Sequence, residues 1–409
     1  MINISYRLSC ECVPFKSESR FALSDCGESF TMRCILIFWV LLVALDGTKS
    51  LENAKPCYPS VCKLPECKCS TTESGSAIPT SKIPQIVMLT FDDAVTPITY
   101  DYFQKALFGR KNPDGCPIGV THFLCHEYTD YARVHDLWLR GHEIALHSVT
   151  HTVEDYWRDI NLTVFKSEFD DMRTIITHFA GVPKSYLRGL RVPFLELSGN
   201  ISFQGLKELG LIYDSSMPTI RYTDPALWPY TLEYASHQDC MIEPCPTASF
   251  PNVWEVPMIM WKDEKSISCS MVDACVNIPK QAEPLSKWFI SQFQRHYNSS
   301  RAPFPVFMHA AWFTRSPQYF KAYQLFIDYL QSLPDVYLVT VDKAIEWIKN
   351  PKPLGIKKPF GECEVRIPPT KCVPRSCGLK TASGDERWMS SCVGVCPNRY
   401  PWLYNPFGN

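Results

Sequence analysis

The chain has 409 residues, 45% hydrophobic and 20% charged, with a formal net charge of -1. That size and balance fit one large domain or two to three small ones and exclude extensive disorder. With no basic excess and no long like-charge run, nucleic acid is not an expected partner.

The N-terminus speaks first to compartment. Residues 34–45, CILIFWVLLVAL, follow Arg33 and precede small and polar residues. A dozen apolar residues match a signal-peptide core and are short for a bilayer span. Residues 1–50 are therefore expected to be a signal region, with Met32 the expected true start and a short-tailed membrane anchor the alternative. Its removal takes Cys10, Cys12, Cys26 and Cys34 and leaves 15 of the 19 cysteines. In an oxidising compartment most should pair, and the odd count leaves a thiol over. Cys125, in the apolar stretch VTHFLC, is the expected one. Sequons at Asn161, Asn200 and Asn298 agree with a secreted glycoprotein.

Residues 51–84 carry Cys57, Cys62, Cys67 and Cys69 among prolines and read as a small disulfide-held arm. From 85 to 350 apolar strand patterns alternate with helical ones. Strands are predicted at 86–91, 118–124, 143–146, 187–192, 211–213, 253–259, 306–308 and 336–340. Helices are predicted at 99–108, 131–140, 163–179, 203–209, 283–297, 318–330 and 343–349. This alternation argues for an α/β fold, a distorted (β/α) barrel of seven to eight parallel strands. Two excursions break the rhythm, 215–252 with Cys240 and Cys245, and 260–283 with Cys269 and Cys275; loops of that length are usually functional or crosslinked. Residues 351–409, with five cysteines, read as a cysteine-rich lobe packed on the barrel.

In such a barrel the reacting groups stand at the C-terminal ends of the strands. The first strand ends in MLTFDDAV, at Asp92 and Asp93; the third in HSVTH, at His147 and His151; a later one in LRGLRVPF, at Arg191; and PVFMHAAW ends at His309. Two adjacent carboxylates repel and resist desolvation, so a surface turn or a metal ion must explain them. Histidines four apart lie on one face of a helical turn. One carboxylate completes a three-ligand set with an open position; the other is free to serve as general base. HSVTH lacks the Glu of an H-E-x-x-H peptidase site.

TFDDA, HSVTH, RVPF and MHAAW, in this order over roughly 84–341, resemble the polysaccharide deacetylases of carbohydrate esterase family 4, the NodB-homology domain. The flanks CKLPECKCS and ERWMSSCVGVCPNRYPWLYNP resemble those of arthropod chitin deacetylases. The resemblance implies a zinc ion, or another divalent metal, on Asp93, His147 and His151, with Asp92 as general base and His309 as general acid. It implies that Arg191 holds Asp92 ionised and that the Phe194 N–H lines an oxyanion hole. Trp254 is expected to line the acetyl-methyl pocket, Asp214 to orient or charge His309, and Trp312, Trp228 and Tyr230 to stack sugar rings. The implied function is a secreted, monomeric hydrolase removing N-acetyl groups from chitin or chitin oligosaccharides, with no stable membrane association. A catalytically silent chitin-binding matrix protein and a deacetylase of another N-acetylated glycan are the alternatives.

Overall fold

β1 (Gln85–Asp92) is buried at all eight positions, as a strand covered on both faces must be. The computed structural model describes residues 51–364 and 366–409. The expected signal region and the start at Met32 lie outside the described residues. Glu52–Asn409 form one unit.

After β1 come α1 (Pro97–Leu107), β2 (Thr121–Leu124), α2 (Tyr131–Leu139), β3 (Glu143–Leu146), α3 (Glu154–Asp159) and α4 (Leu162–Ala180). β4 (Gly189–Leu190), α5 (Asn200–Glu208), β5 (Tyr213–Asp214), β6 (Tyr230–Thr231) and β7 (Trp254–Glu255) follow. Further on lie α6 (Ala282–Tyr297), β8 (Phe304–His309), α7 (Pro317–Gln331), β9 (Val336–Leu338), α8 (Val341–Lys349) and the hairpin β10 (Arg375–Lys380) and β11 (Glu386–Ser391), besides short two-residue strands outside the main sheet. The sheet runs β8–β1–β2–β3–β4–β5–β7–β6, with β9 also on β1. Every pairing in it is parallel except β6 with β7. This is the expected α/β architecture, curled into an open barrel. Across the opening, Phe307 of β8 packs with Met258 and Leu195.

Local chemistry sets the helix boundaries. α1 starts on a capping box between Thr96 and Thr99 with Pro97 in its first turn. Asp130 caps α2 by accepting from Ala132 and Arg133 N–H. α4 ends at Gly181, whose φ of 65° suits a residue without Cβ.

α8 closes the N-terminal end of the barrel. Val341 N–H donates to Thr121 Oγ1 and Asp342 N–H to Glu143 Oε2. Both acceptors begin their strands, so the opposite, C-terminal end is left as the mouth.

Seven disulfides join the described cysteines: Cys57–Cys69, Cys62–Cys67, Cys116–Cys363, Cys240–Cys245, Cys269–Cys275, Cys372–Cys392 and Cys377–Cys396. Cys125 is free and buried, as expected. The C-terminal lobe docks beside the mouth: His126, just past β2, is buried between Tyr131 Oη at 2.6 Å and the Pro401 carbonyl at 2.8 Å. Among the described residues no helix is long and apolar enough to cross a membrane.

Candidate metal centre

Asp92 is the last residue of β1, and Asp93 follows with φ 78°. That left-handed turn sends the two carboxylates apart. Asp92 points into the barrel, buried, and accepts from Arg191 Nη1 at 2.5 Å. Asp93 points into the mouth. Its Oδ1 lies 3.4 Å from His151 Nε2 and 3.9 Å from His147 Nε2.

The two histidines do not meet on a helical turn. Residues 147–151 form a loop, with Ser148 at φ 77° and His151 at φ 44°. The side chain that holds this strained loop escaped the sequence reading. Glu168 of α4, fully buried, accepts from Val149 N–H, Thr150 N–H, Thr150 Oγ1 and Tyr156 Oη at 2.7–3.1 Å. Ser148 Oγ accepts from His151 N–H at 3.1 Å.

Asp93, His147 and His151 form a cluster able to hold a metal ion, with all ligand atoms within 4.8 Å of one another. Two observations fit a cation there. Asp93 Oδ1 is enclosed with no hydrogen-bond partner, which is costly for a carboxylate oxygen unless a positive charge meets it. The Arg191 carbonyl lies 2.8 Å from His147 Nδ1. Nδ1–H donates to it, which leaves the Nε2 lone pair facing Asp93 and His151, the arrangement of a metal-binding imidazole. Burial pushes His147 down to about 4, so it stays neutral at working pH.

Arg191 is fully buried, and its fork is filled. Nη1 reaches Asp92, Nε the Ser215 carbonyl at 2.6 Å, and Nη2 Ser215 Oγ at 3.0 Å. Burial alone would raise Asp92, but Arg191, His147 and His309 together hold it below the ordinary carboxylate range. Asp92 is therefore ionised at neutral pH, with Oδ2 4.0 Å from His147 Nε2.

His309 ends β8 in direct register with Asp92. Its Nε2 lies 3.8 Å from Asp93 Oδ2, on the far side of the site from His151. Its Nδ1 is 2.8 Å from Asp273 Oδ2, and its N–H donates to the other oxygen of Asp273. Burial would lower His309; the hydrogen bond and charge of Asp273, with Asp92 and Asp93 beyond, raise it to about 9.

Asp214 does not orient His309. It sits on β5, several strands from β8 in the sheet, with its oxygens on Ser216 N–H and Oγ at 2.8 and 2.7 Å. Ser216 Oγ in turn accepts from Val192 N–H at 2.8 Å, so Asp214 supports the segment that carries Arg191. The partner of His309 is Asp273, inside the Cys269–Cys275 loop. The only sequence signal for it was an acid inside a crosslinked long loop.

Phe194 lies where a mouth residue should. It is 43% exposed, has φ 58°, and its ring is 5.0 Å from that of His151. Trp254 lies elsewhere. It is in register with Tyr213, whose Oη donates to Glu143, the first residue of β3, at 2.8 Å. Through β4 and β5 that register sets Glu255 level with Leu146, so the Trp254 backbone stands two residues short of His147. The Trp254 ring, 1% exposed, lies under Lys349 of α8, the helix that closes the opposite end, and so turns away from an acetyl pocket at the mouth. Trp312, 3% exposed, is stacked on Tyr319 at 4.4 Å, and Trp228 and Tyr230 are fully buried. None of the three offers a free face to a sugar. Leu195, Met258 and Phe307 form a separate buried cluster, against which each long disulfide loop places one side chain, Ile242 or Met271.

No family model matches the chain. It is 40% identical over 379 residues to chitin deacetylase 8 of Bombyx mori, spanning 91% of this chain and 98% of that one. To chitin deacetylase 1 of Bombyx mori it is 36% identical over 380 residues, spanning 88% and 69%. The solved chitin deacetylase of the fungal pathogen Colletotrichum lindemuthianum is 17% identical, spans 64% of this chain and 89% of its own, and has a TM-score of 0.36. The chain belongs to the chitin deacetylase family of the polysaccharide deacetylases.

Proposed function

We propose that the protein is a secreted, zinc-dependent deacetylase of chitin or chitin oligosaccharides. One observation carries this reading: a three-ligand cluster, Asp93–His147–His151, with a held carboxylate, Asp92, on one side and a held imidazole, His309, on the other. The relatives' names supply the substrate, and the seven disulfides support an oxidising compartment.

Asp93, His147 and His151 are the residues that would hold zinc or another divalent ion. When bound, such an ion supplies Lewis acidity, lowering the pKa of water to about 7 and polarising an amide carbonyl. Asp92, ionised and fixed by Arg191, accepts the proton of the attacking water at Oδ2. In this reading the Phe194 N–H donates to the developing oxyanion. His309 carries a proton on each nitrogen. Nδ1–H stays on the ring and donates a hydrogen bond to Asp273, and Nε2 delivers its proton to the departing amine nitrogen. The C–N bond breaks as that proton arrives, giving acetate and a free amine.

The direct test is acetate release from N-acetylglucosamine oligomers by the secreted protein, after chelation and after zinc is restored. Release should stop on chelation and return with zinc. Oligomer binding with no release under any condition would move the assignment to a silent chitin-binding protein.

The acid role of His309 has its own test in Asp273→Asn. His309 must be protonated to act, so kcat/KM falls as pH rises through its pKa. Removing the charge at Asp273 lowers that pKa, and the alkaline limb should move down by about one to two pH units. An unmoved limb would remove His309 from the acid role.

A further inference from the structure

Beside the mouth, the C-terminal hairpin β10–β11 and the helices α1 and α2 enclose a groove of about 760 Å³ that the proposed chemistry does not use. This is within the roughly 300–1,000 Å³ of ligand sites. Two aromatic rings in it are open to solvent: Trp388 of β11, 71% exposed, and Tyr128 in the loop after β2, 62% exposed.

Both rings are held in place. Trp388 pairs with Gly378 across the hairpin, and a Cβ at Gly378 would come within 3.2 Å of the indole. The ring therefore lies against bare backbone, with its other face open. Tyr128, at φ 68°, has the Arg387 guanidinium 5.8 Å from its ring centroid, and Arg387 is fixed by Glu127 at 2.8 Å. Two fixed and solvated aromatic faces are costly unless something covers them.

The groove's charge narrows what that is. Arg133 pairs with Asp130 at 3.1 Å, Arg140 with Asp136 at 2.6 Å, and Tyr100 Oη donates to Asp136 at 2.5 Å. Each charge is answered within the protein, so the walls offer hydrogen-bonding edges with little net field. That surface suits a neutral polyhydroxylated chain, whose sugar rings have apolar faces and polar rims. It does not suit a nucleic acid or a charged peptide.

The groove is walled in part by the loops that leave the mouth. Pro97 in its wall opens the helix that follows Asp93, and Thr129 and Asp130 belong to the loop that follows β2. Asp130 N–H donates to the Val95 carbonyl at 2.8 Å, joining these two mouth loops.

We propose that this groove is a distal subsite for an N-acetylated glycan chain, which runs from the mouth past Tyr128 and stacks on Trp388. The inference rests on the deacetylase reading for its substrate class. It adds that the C-terminal lobe sets the preference for long chains.

The test uses the full-length secreted protein, with Trp388→Ala and Trp388→Tyr. Binding of N-acetylglucosamine oligomers of increasing length is followed by calorimetry in chelator, and acetate release is followed with zinc. Loss of one stacking face should raise Kd and KM for the longest oligomers by roughly three- to tenfold. The dimer should be unaffected, kcat unchanged, and Trp388→Tyr should recover most of the loss. An identical length dependence in Trp388→Ala overturns the subsite. So does a change confined to self-association, which would mark the face as a contact between copies. Trp388-dependent binding without acetate release by the parent protein would retain the groove and reject the deacetylase reading alone.

Discussion

Replacing Asp92 by Asn should cut turnover of N-acetylglucosamine oligomers by about 10²–10⁴-fold, the usual worth of a placed general base, while metal content stays near one ion per chain. The substitution keeps shape and removes charge. Asp92 Oδ1 is spent on Arg191, and its other oxygen is 4.0 Å from His147 Nε2. Asp93 instead presents Oδ1 to both His147 and His151 and has no other partner for it. Asp93→Asn should therefore be recovered poor in metal. Metal analysis of the two purified variants decides the matter independently of activity: an Asp92→Asn protein that lost its metal would mean that the two aspartates have the opposite roles.

The same pair shows what could be read from sequence. A strand that is apolar to its last residue and then carries two acids puts both at the mouth, whatever the details of the turn. His147, Arg191 and His309 were legible for the same reason: each ends an apolar run in a parallel sheet, so topology places it without any knowledge of loops. Cys125 was legible as the odd thiol because it closes the strand-like, largely apolar segment VTHFLC. Loops defeated the reading. Asp273 lies in an excursion whose path is set by the Cys269–Cys275 bridge and by packing of Met271 on the cluster of Leu195, Met258 and Phe307, neither of which has a periodicity. Glu168 looked like an ordinary helix residue, yet α4 turns it inward to hold the left-handed loop that carries His151. Trp254 failed for another reason. β7 has only two residues, and the way the Trp254 ring turns, under Lys349 of α8, follows from packing that composition does not encode. The C-terminal hairpin was hidden among prolines and cysteines, though its alternation of buried and exposed residues is regular once its register is known.

Replacing Arg191 by Met should destabilise the fold by about 3–5 kcal/mol at neutral pH, the cost of leaving a buried charge without its partner. Met fills much of the same volume between Phe123 and Phe307, whose rings lie 4.0 and 4.7 Å from the guanidinium, so little of the loss comes from a cavity. The pH dependence identifies the cause. In the parent protein Asp92 titrates below its unfolded value, so its contribution is present above about pH 4 and is lost as pH falls through the depressed value. Without Arg191, burial, the largest influence on Asp92, pushes its folded pKa up. Ionised Asp92 then opposes folding above the unfolded pKa, and protonation relieves it. The stability gap between Arg191→Met and parent, measured by urea unfolding in chelator, should be widest near pH 7 and shrink towards pH 4. A gap that does not change with pH would assign the loss to the bonds to Ser215 instead. The double variant Asp92→Asn, Arg191→Met removes both charges and should regain much of the stability without regaining turnover, which separates the ion pair's part in folding from the carboxylate's part in proton transfer.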